Sequence, residues 1–238
     1  TEDKVEMVID YSKFDSWVAE WEHAKNFMVF VSVGDYFRDA KDFYGTTEIS
    51  INHPDFGRVV AFWAKSWAEH IKEMGFEPSQ FNLLLSDEPV EEVKELRILN
   101  WANAIKSGAP EFTIFENPVR VDPREGIQGM YWACDVLSPQ PHFYYDGGDT
   151  TIAFYEELRL AGKDLWFYQC TGGRVYDPFY YHRLQAWIAW KHKAVGIGYW
   201  SYTDGGATSP WNEYIARNRK SYTPVYFDDK EIIDGKHW

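Results

Sequence analysis

Short apolar runs alternate with amphipathic segments along almost the whole of this 238-residue chain. Seven runs have the length and composition of buried strands, namely 5–10, 27–33, 81–87, 111–116, 135–138, 165–170 and 194–200. Segments with the apolar spacing of helices separate many of them, among them 53–74, 90–106, 149–161 and 180–193. Alternation of strands and helices predicts a parallel sheet, because parallel neighbours need a long crossover connection.

The chain length and the number of strand–helix units favour a (β/α)8 barrel, which often forms one domain of this size. A doubly wound open sheet is the alternative, but no strand is followed by the G-x-G-x-x-G spacing of a dinucleotide site. No linker, repeat or low-complexity tract divides residues 1–238, so we expect a single domain. Because the barrel is one unit short, we expect it to be incomplete at both ends, as a fragment of a longer protein.

Aromatic residues are unusually frequent, with 12 Trp, 16 Tyr and 16 Phe making up 18% of the chain. Some of these belong to the core, while rings at strand ends and in loops are suited to stacking on the faces of sugars. The net charge of −13 disfavours nucleic acid or an anionic membrane as a partner. No apolar run reaches the roughly 18 residues of a membrane helix, so no membrane span is expected.

Neither a metal site nor a cofactor is expected. The seven histidines show no H-x-H or H-x-x-x-H pairing. The two cysteines, Cys134 and Cys170, are too few for a disulfide framework. Cys134 also lacks the His partner that activates a thiol nucleophile.

The segment 81–89 places two adjacent carboxylates, Asp87 and Glu88, after an apolar strand and before Pro89. Pro89 cannot continue a central strand, so we expect the strand to end at these acids. In parallel α/β folds, ligands and catalytic groups lie at the carboxyl ends of strands. Asp87 and Glu88 are therefore candidates for acid and base catalysis on a polar substrate. The structural alternative is that they cap the following helix, since acidic residues favour helix N-termini.

Further acidic and aromatic residues stand at predicted strand ends, namely Asp10, Glu116, Asp135, Tyr168 and Trp200. Such a mixture at the mouth of a barrel is typical of a glycoside hydrolase site, where one acid protonates the leaving oxygen. Adjacent strand residues normally point to opposite sides, so Asp87 and Glu88 do not readily flank one bond. Two solutions remain open. Either Glu116 or Asp135 is a nucleophile opposite Glu88, or the substrate's own 2-acetamido oxygen attacks while Asp87 orients it.

Several segments carry a family resemblance: Leu-Ser-Asp-Glu-Pro at 85–89, Trp-Phe-Tyr-Gln-Cys at 166–170, the helix 181–191, Gly-Ile-Gly-Tyr-Trp at 196–200, and the terminal segments 9–15, 226–229 and 233–238. Together they resemble the catalytic domain of glycoside hydrolase family 123 and its uncharacterised relatives. The resemblance implies a (β/α)8 barrel, usually preceded by a β-sandwich domain, that releases β-linked N-acetylgalactosamine by the substrate-assisted route. Compared with that family, we expect the chain to lack the first barrel strand, the preceding sandwich and the last helix.

Carried over to this sequence, the resemblance makes Glu88 the general acid/base and Asp87 the residue that positions the acetamido group. The expected substrate-binding residues are Asp10, Glu116, Tyr131, Trp132, Asp135, Tyr168 and Trp200. We therefore expect a β-N-acetylhexosaminidase-like enzyme with a carbohydrate substrate, a β-sandwich domain in the parent protein, and a secreted, periplasmic or cell-surface location. A glycosidase of other specificity and a non-catalytic carbohydrate-binding barrel are the alternatives.

Overall fold

The computed structural model describes residues 9–38, 48–170 and 183–200. Helix α1 (Ser12–Glu20) precedes strand β1 (Phe27–Phe30) and the short strands β2 (Tyr36–Arg38) and β3 (Glu48–Ser50). Next come α2 (Phe56–Glu73), β4 (Phe81–Leu84), α3 (Glu92–Gly108), β5 (Thr113–Glu116), α4 (Gln128–Ala133) and β6 (Val136–Leu137). The last described elements are α5 (Pro141–Asp146), α6 (Gly148–Leu160), β7 (Asp164–Gln169), α7 (Leu184–Lys191) and β8 (Gly196–Tyr199).

Six strands form one parallel sheet in the order β1-β4-β5-β6-β7-β8. Each strand of this sheet therefore lies beside the strand of the same sheet that precedes it in sequence, with a helical crossover between them. A doubly wound sheet would reverse its strand order at a switch point, and this sheet has no reversal. The described residues are thus a six-stranded part of a (β/α)8 barrel, as the sequence predicts.

Side chains alternate between the two faces of the sheet, because successive strand residues point in opposite directions. One face carries Leu84, Phe115 and Val136, which pack together with Trp166 inside the barrel. The other face belongs to the larger core between strands and helices, with Leu83 and Ile114 both fully buried. This alternation decides which residues of each strand can reach a ligand inside the barrel.

Helix α1 packs at the amino-terminal edge of the sheet. The ring centroid of Phe14 lies 5.6 Å from that of Phe81, the first residue of β4. The ring centroid of Trp17 lies 5.4 Å from that of Phe27, the first residue of β1. Helix α1 therefore covers the edge opposite to the carboxyl ends of the strands.

Several local predictions differ from the structure. The sequence predicts no strand between the strand 27–33 and the helix 53–74, yet β2 and β3 lie there and pair antiparallel through Phe37 and Ile49. Helices α4 and α5 were not predicted, because six residues are too few for a clear helical period. Of the predicted strand 5–10, residues 5–8 lie outside the described residues, and residues 9 and 10 are not in a strand. Among the helices described, none combines the length and apolar character needed to cross a membrane.

Helices α2 and α3 approach closely at Gly108, where a Cβ atom would lie 1.9 Å from the carbonyl oxygen of Ala61. We expect Gly108→Ala to lower the unfolding free energy by about 1–3 kcal/mol, because backbone atoms would have to move apart. Urea unfolding followed by circular dichroism measures this change. Gly57→Ala is the matched control, since its Cβ would meet nothing within 4 Å. Equal stability of the two variants would contradict the close approach.

Candidate active site

A pocket of about 430 Å³ opens at the carboxyl ends of the barrel strands. Its lining comes from β1, β4, β5, β7 and β8 and from the residues that follow these strands and β6: Met28, Phe30, Leu84, Asp87, Glu88, Phe115, Asn117, Ser138, Trp166, Tyr168, Cys170, Gly198, Tyr199 and Trp200. The lining is largely apolar and aromatic. Its charged residues, Asp87 and Glu88, are the adjacent acids that follow β4.

The backbone turns sharply at Glu88, which has a φ angle of +48°. Residues other than glycine rarely adopt this left-handed conformation, which costs about 1–3 kcal/mol unless the surroundings impose it. In a regular strand, Asp87 and Glu88 would point to opposite faces. The turn instead lets both side chains line the same pocket. Neither acid caps the next helix, because α3 begins at Glu92 and Glu91 is its N-cap residue.

Asn117 holds this turn from the end of β5. Its Nδ2 donates a hydrogen bond of 2.9 Å to Oδ1 of Asp87. Its Oδ1 accepts a hydrogen bond of 3.0 Å from the backbone N–H of Glu88. One amide group thus fixes the Asp87 carboxylate and the strained backbone of Glu88 together, and leaves Oδ2 of Asp87 as the second acceptor.

Glu116, which precedes Asn117, faces the helices rather than the pocket. Its Oε1 accepts hydrogen bonds from the backbone N–H groups of Leu85 at 3.0 Å and Ser86 at 3.3 Å. Leu85 and Ser86 are the first two residues after β4. The side chain is fully buried, and its Oε2 has no hydrogen-bond partner among the described residues. Burial raises the pKa of Glu116 well above its ordinary value, and the negative charge of Asp87 adds to this rise.

Three donors converge on Oε1 of Glu88. The hydroxyl of Tyr168 donates to it, as do Nε2 of Gln140 at 3.0 Å and Sγ of Cys170 at 3.4 Å. Burial raises the pKa of Tyr168, and hydrogen bonding to Glu88 raises it further. Burial, followed by the nearby Glu88 charge, raises the pKa of Cys170 to about 12. Both groups are therefore neutral donors at physiological pH. Within the described residues, no hydrogen bond reaches Oε2 of Glu88.

Tyr168 and Trp200 lie where the sequence predicts, in the lining of the pocket. The side chain of Trp166 is accommodated by Gly196, where a Cβ atom would lie 2.0 Å from the Trp166 ring. Trp200 follows β8 and is 52% exposed at the rim. The pocket therefore has aromatic walls along β7 and β8.

Asp10 and Asp135 lie away from this pocket, contrary to the expectation for both. Asp10 precedes α1, at the opposite edge of the sheet, and accepts a hydrogen bond of 2.9 Å from the N–H of Ser12. Asp135 stands at the beginning of β6 rather than at its end. It accepts a hydrogen bond of 2.8 Å from the N–H of Ile114 and pairs with Lys106 at 2.6 Å.

Tyr131 and Trp132 also lie outside the pocket, because they belong to α4 rather than to a strand end. Tyr131 is fully buried and packs edge-on against Phe154 and Tyr155 of α6. Trp132, on the same helix, is exposed to solvent. Both are structural parts of the helical layer in the described chain.

Sequence reasoning missed Asn117, Gln140 and Cys170. Strand alternation could have identified two of them, since Asn117 follows the inward Phe115 by two residues and Cys170 follows Tyr168 by two. Gln140 offers no comparable signal, because it lies in a connection. Among the described residues, no group of three or more His, Cys, Asp or Glu side chains could hold a metal ion.

No protein-family model matches the chain, and no curated protein matches it. The solved structures that resemble it include the GH53 catalytic domain of Ignisphaera aggregans, at 13% identity and a TM-score of 0.44. The match covers 82% of this chain and 68% of that domain. A β-D-glucuronidase structure from Dictyoglomus thermophilum matches at 13% identity and a TM-score of 0.38, covering 80% of this chain and 40% of that one. The resemblance to family 123 is not specifically supported by these matches.

The raised pKa of Glu116 makes stability depend on pH. The folded state favours the protonated form of Glu116. The resulting contribution to the free energy of unfolding is complete below the ordinary pKa of 4.5 and is lost as pH rises through the pKa that Glu116 has in the folded protein. We expect Glu116→Gln to remove this pH dependence. Above pH 4.5, the unfolding free energy of the variant should therefore rise relative to that of the wild type by up to about 1.4 kcal/mol per pH unit. Urea unfolding between pH 4 and pH 8 measures the difference.

The control is Glu73→Gln, at an exposed position on α2, which should track the wild type at every pH. Parallel stability curves for Glu116→Gln and the wild type would mean that Glu116 is not held neutral in the folded protein.

Proposed function

We propose that this protein is a glycoside hydrolase that cleaves β-linked N-acetylhexosamine glycans, of the N-acetylgalactosamine type, by a substrate-assisted retaining mechanism. The observation that carries the proposal is the placement of Asp87 and Glu88, which are consecutive in sequence and line one pocket. The other two acids considered as a nucleophile, Glu116 and Asp135, do not line it. A carboxylate pair on one turn fits the substrate-assisted route, in which one acid protonates the glycosidic oxygen and its neighbour orients the acetamido group.

The placement of both carboxylates on one turn argues against an ordinary double-displacement mechanism. Retaining enzymes with a protein nucleophile place two carboxyl groups on opposite sides of the sugar, about 5–5.5 Å apart. Inverting enzymes need about 6.5–9.5 Å to leave room for water. Asp87 and Glu88 project from neighbouring positions of one turn, so they approach a bound sugar from the same wall. Among the described residues, no third carboxylate lines the pocket to face them.

In the proposed first step, protonated Glu88 gives its proton to the glycosidic oxygen as the bond to the anomeric carbon breaks. The carbonyl oxygen of the 2-acetamido group attacks that carbon and forms an oxazolinium ion. Asp87 accepts a hydrogen bond from the acetamido N–H and stabilises the positive charge that develops there. Water then attacks the anomeric carbon, whose bond to the acetamido oxygen breaks and regenerates the 2-acetamido group. Ionised Glu88 accepts a proton from this water, which restores the acid.

The pocket lining suits a neutral sugar. Trp166, Tyr199 and Trp200 offer ring faces or edges for the apolar C–H face of a pyranose. The two carboxylates beside these rings, Asp87 and Glu88, can accept hydrogen bonds from sugar hydroxyl groups. This mixture of aromatic rings and carboxylate acceptors favours a carbohydrate over a purely apolar ligand.

The alternative of a non-catalytic barrel requires Asp87 and Glu88 to have a purely structural role as helix caps. The start of α3 at Glu92 is unfavourable to that alternative. The strained backbone of Glu88 is likewise unfavourable to it, because such strain concentrates at functional sites.

The test is hydrolysis of paired aryl β-glycosides that differ only in a 2-acetamido or a 2-hydroxyl group. We expect cleavage of the acetamido substrate alone. Glu88→Gln should lower kcat by about 100- to 10,000-fold, because the proton donor is lost. Asp87→Asn should reduce turnover of the acetamido substrate, because the asparagine side chain lacks the negative charge that orients the acetamido N–H and stabilises the oxazolinium ion. Glu91→Gln, an exposed acid three residues beyond Glu88, is the matched control and should retain activity.

Equal cleavage of both glycosides would contradict substrate assistance and require another nucleophile. Full activity of Glu88→Gln would rule out its role as the acid. Wild-type protein that binds the sugars without cleaving either would support the non-catalytic alternative.

A further inference from the structure

Gln140 is buried beside the pocket, although it is not one of the residues that line it. It directly follows Pro139 after β6, is the N-cap residue of α5, and is only 3% exposed. Pro141 follows at the first position of the helix and restricts the local backbone. The side chain is therefore presented from a rigid connection, although it is long and flexible in isolation.

The amide nitrogen of Gln140 lies close to three different groups. It is 3.0 Å from Oε1 of Glu88, 2.9 Å from the hydroxyl oxygen of Tyr168 and 3.3 Å from Sγ of Cys170. Its two N–H groups can serve at most two of these at once. The carboxylate is the strongest acceptor of the three, so we expect one N–H of Gln140 to donate to it. The amide oxygen is buried and has no partner among the described residues.

The two oxygens of Glu88 consequently have different surroundings. Oε1 is surrounded by donors from Gln140, Tyr168 and Cys170. A proton on Oε1 would point at these donors and displace at least one of their hydrogen bonds. Oε2 receives no hydrogen bond from the described residues, so it can carry a proton without that cost.

The titratable and polar groups around Glu88 come from four places in the chain. Asp87 precedes it on the same turn, and Asn117 binds its backbone from β5. Tyr168 and Cys170 face it from β7 and its end, and Gln140 faces it from the connection after β6. Asp87 is the acidic neighbour within this group. Gln140→Leu therefore removes one uncharged partner while the charged surroundings stay the same.

We propose that Gln140 is a positioning residue that holds Oε1 of Glu88 as an acceptor, so that the catalytic proton resides on Oε2. The proton on Oε2 is then the one available to a glycosidic oxygen. After it leaves, the N–H of Gln140 stabilises the charge that remains on the carboxylate. The catalytic part of this inference rests on the proposed function, whereas the effect on Glu88 itself does not.

Two substitutions at Gln140 separate this role from simple packing. Gln140→Leu removes the donor at similar volume, so the ionised form of Glu88 loses a hydrogen bond. Gln140→Glu keeps the shape but places a second carboxyl oxygen against Oε1, where the two groups would share a proton. Both changes should raise the pKa of Glu88, and the second should raise it more, since like charges disfavour ionisation.

The first measurement is the titration of Glu88 in protein labelled with carbon-13 at the glutamate carboxyl groups, with its signal assigned from Glu88→Gln. We expect the midpoint to rise in Gln140→Leu and to rise further, by at least about one pH unit, in Gln140→Glu. Gln185→Leu is the matched control, because Gln185 is also buried but, within the described part of the chain, donates to the carbonyl groups of Phe167 and Gly198 rather than to Glu88. Its Glu88 midpoint should match the wild type. Unchanged midpoints in both Gln140 variants, with near-ultraviolet spectra of the folded protein, would overturn the proposal.

The second measurement is the pH profile of kcat/KM on the acetamido glycoside. Gln140→Leu should lower kcat/KM by about 10- to 100-fold, the scale of a hydrogen bond to a charged group. The basic limb of the profile should move to higher pH together with the NMR midpoint. Shifted midpoints without hydrolysis by any variant or the wild type would support the role of Gln140 and contradict the proposed function. Hydrolysis by the wild type with unshifted midpoints would support the function and overturn the role of Gln140.

Discussion

The hydrogen bonds from the backbone of Leu85 and Ser86 to the carboxyl group of Glu116 are the interaction on which the site depends. Where β4 leaves the sheet, its N–H groups lose the carbonyl partners that a continuing strand would supply. A buried N–H without a partner is costly, so the departure of the chain requires a replacement acceptor. Glu116 provides that acceptor from the neighbouring strand, and Asn117 continues the same support to Asp87 and Glu88. Glu116, the last residue of β5, and Asn117, which follows it, thus define the path of the turn that presents both acids.

The two acids are anchored in corresponding ways by residues on or after the strands that follow β4 in the sheet. Asn117 engages Oδ1 of Asp87, while Gln140, Tyr168 and Cys170 engage Oε1 of Glu88. In each case one oxygen is fixed by uncharged donors, and the other is left for a ligand or a proton. Uncharged donors orient a carboxylate without placing a full positive charge beside it. Burial raises the pKa values of Glu116, Tyr168 and Cys170, which keeps the surroundings of the pair largely neutral.

In the described barrel, stabilising contacts lie at the amino-terminal edge of the sheet and the candidate catalytic residues lie at the carboxyl edge. At the amino-terminal edge, α1 packs aromatic residues against the first residues of β1 and β4, and Asp135 pairs with Lys106 at the beginning of β6. At the carboxyl edge, the backbone is strained at Glu88 and polar atoms of Ser138, Gln140 and Trp166 lack partners among the described residues. This division is the usual one in (β/α)8 barrels, where loops at the carboxyl ends carry the active site. It also explains why Asp10 and Asp135 are acids without a place in the pocket.

Local signals, namely the apolar period, Pro89 and the alternation of strands and helices, were sufficient to predict the type of most elements, the parallel sheet and the position of Asp87 and Glu88 at the end of β4. Which polar residues join these two acids depends on contacts between distant parts of the chain. A shift of one residue separates Glu116, which faces the helices, from Asn117, which faces the pocket. Asp135 precedes β6, which begins at Val136, so it lies at the amino-terminal edge of the sheet. Tyr131 and Trp132 belong to the short helix α4 and therefore lie away from the strand ends. The contacts of Gln140, Tyr168 and Cys170 with Glu88 span 52, 80 and 82 residues of sequence, a separation at which composition and local spacing carry no information.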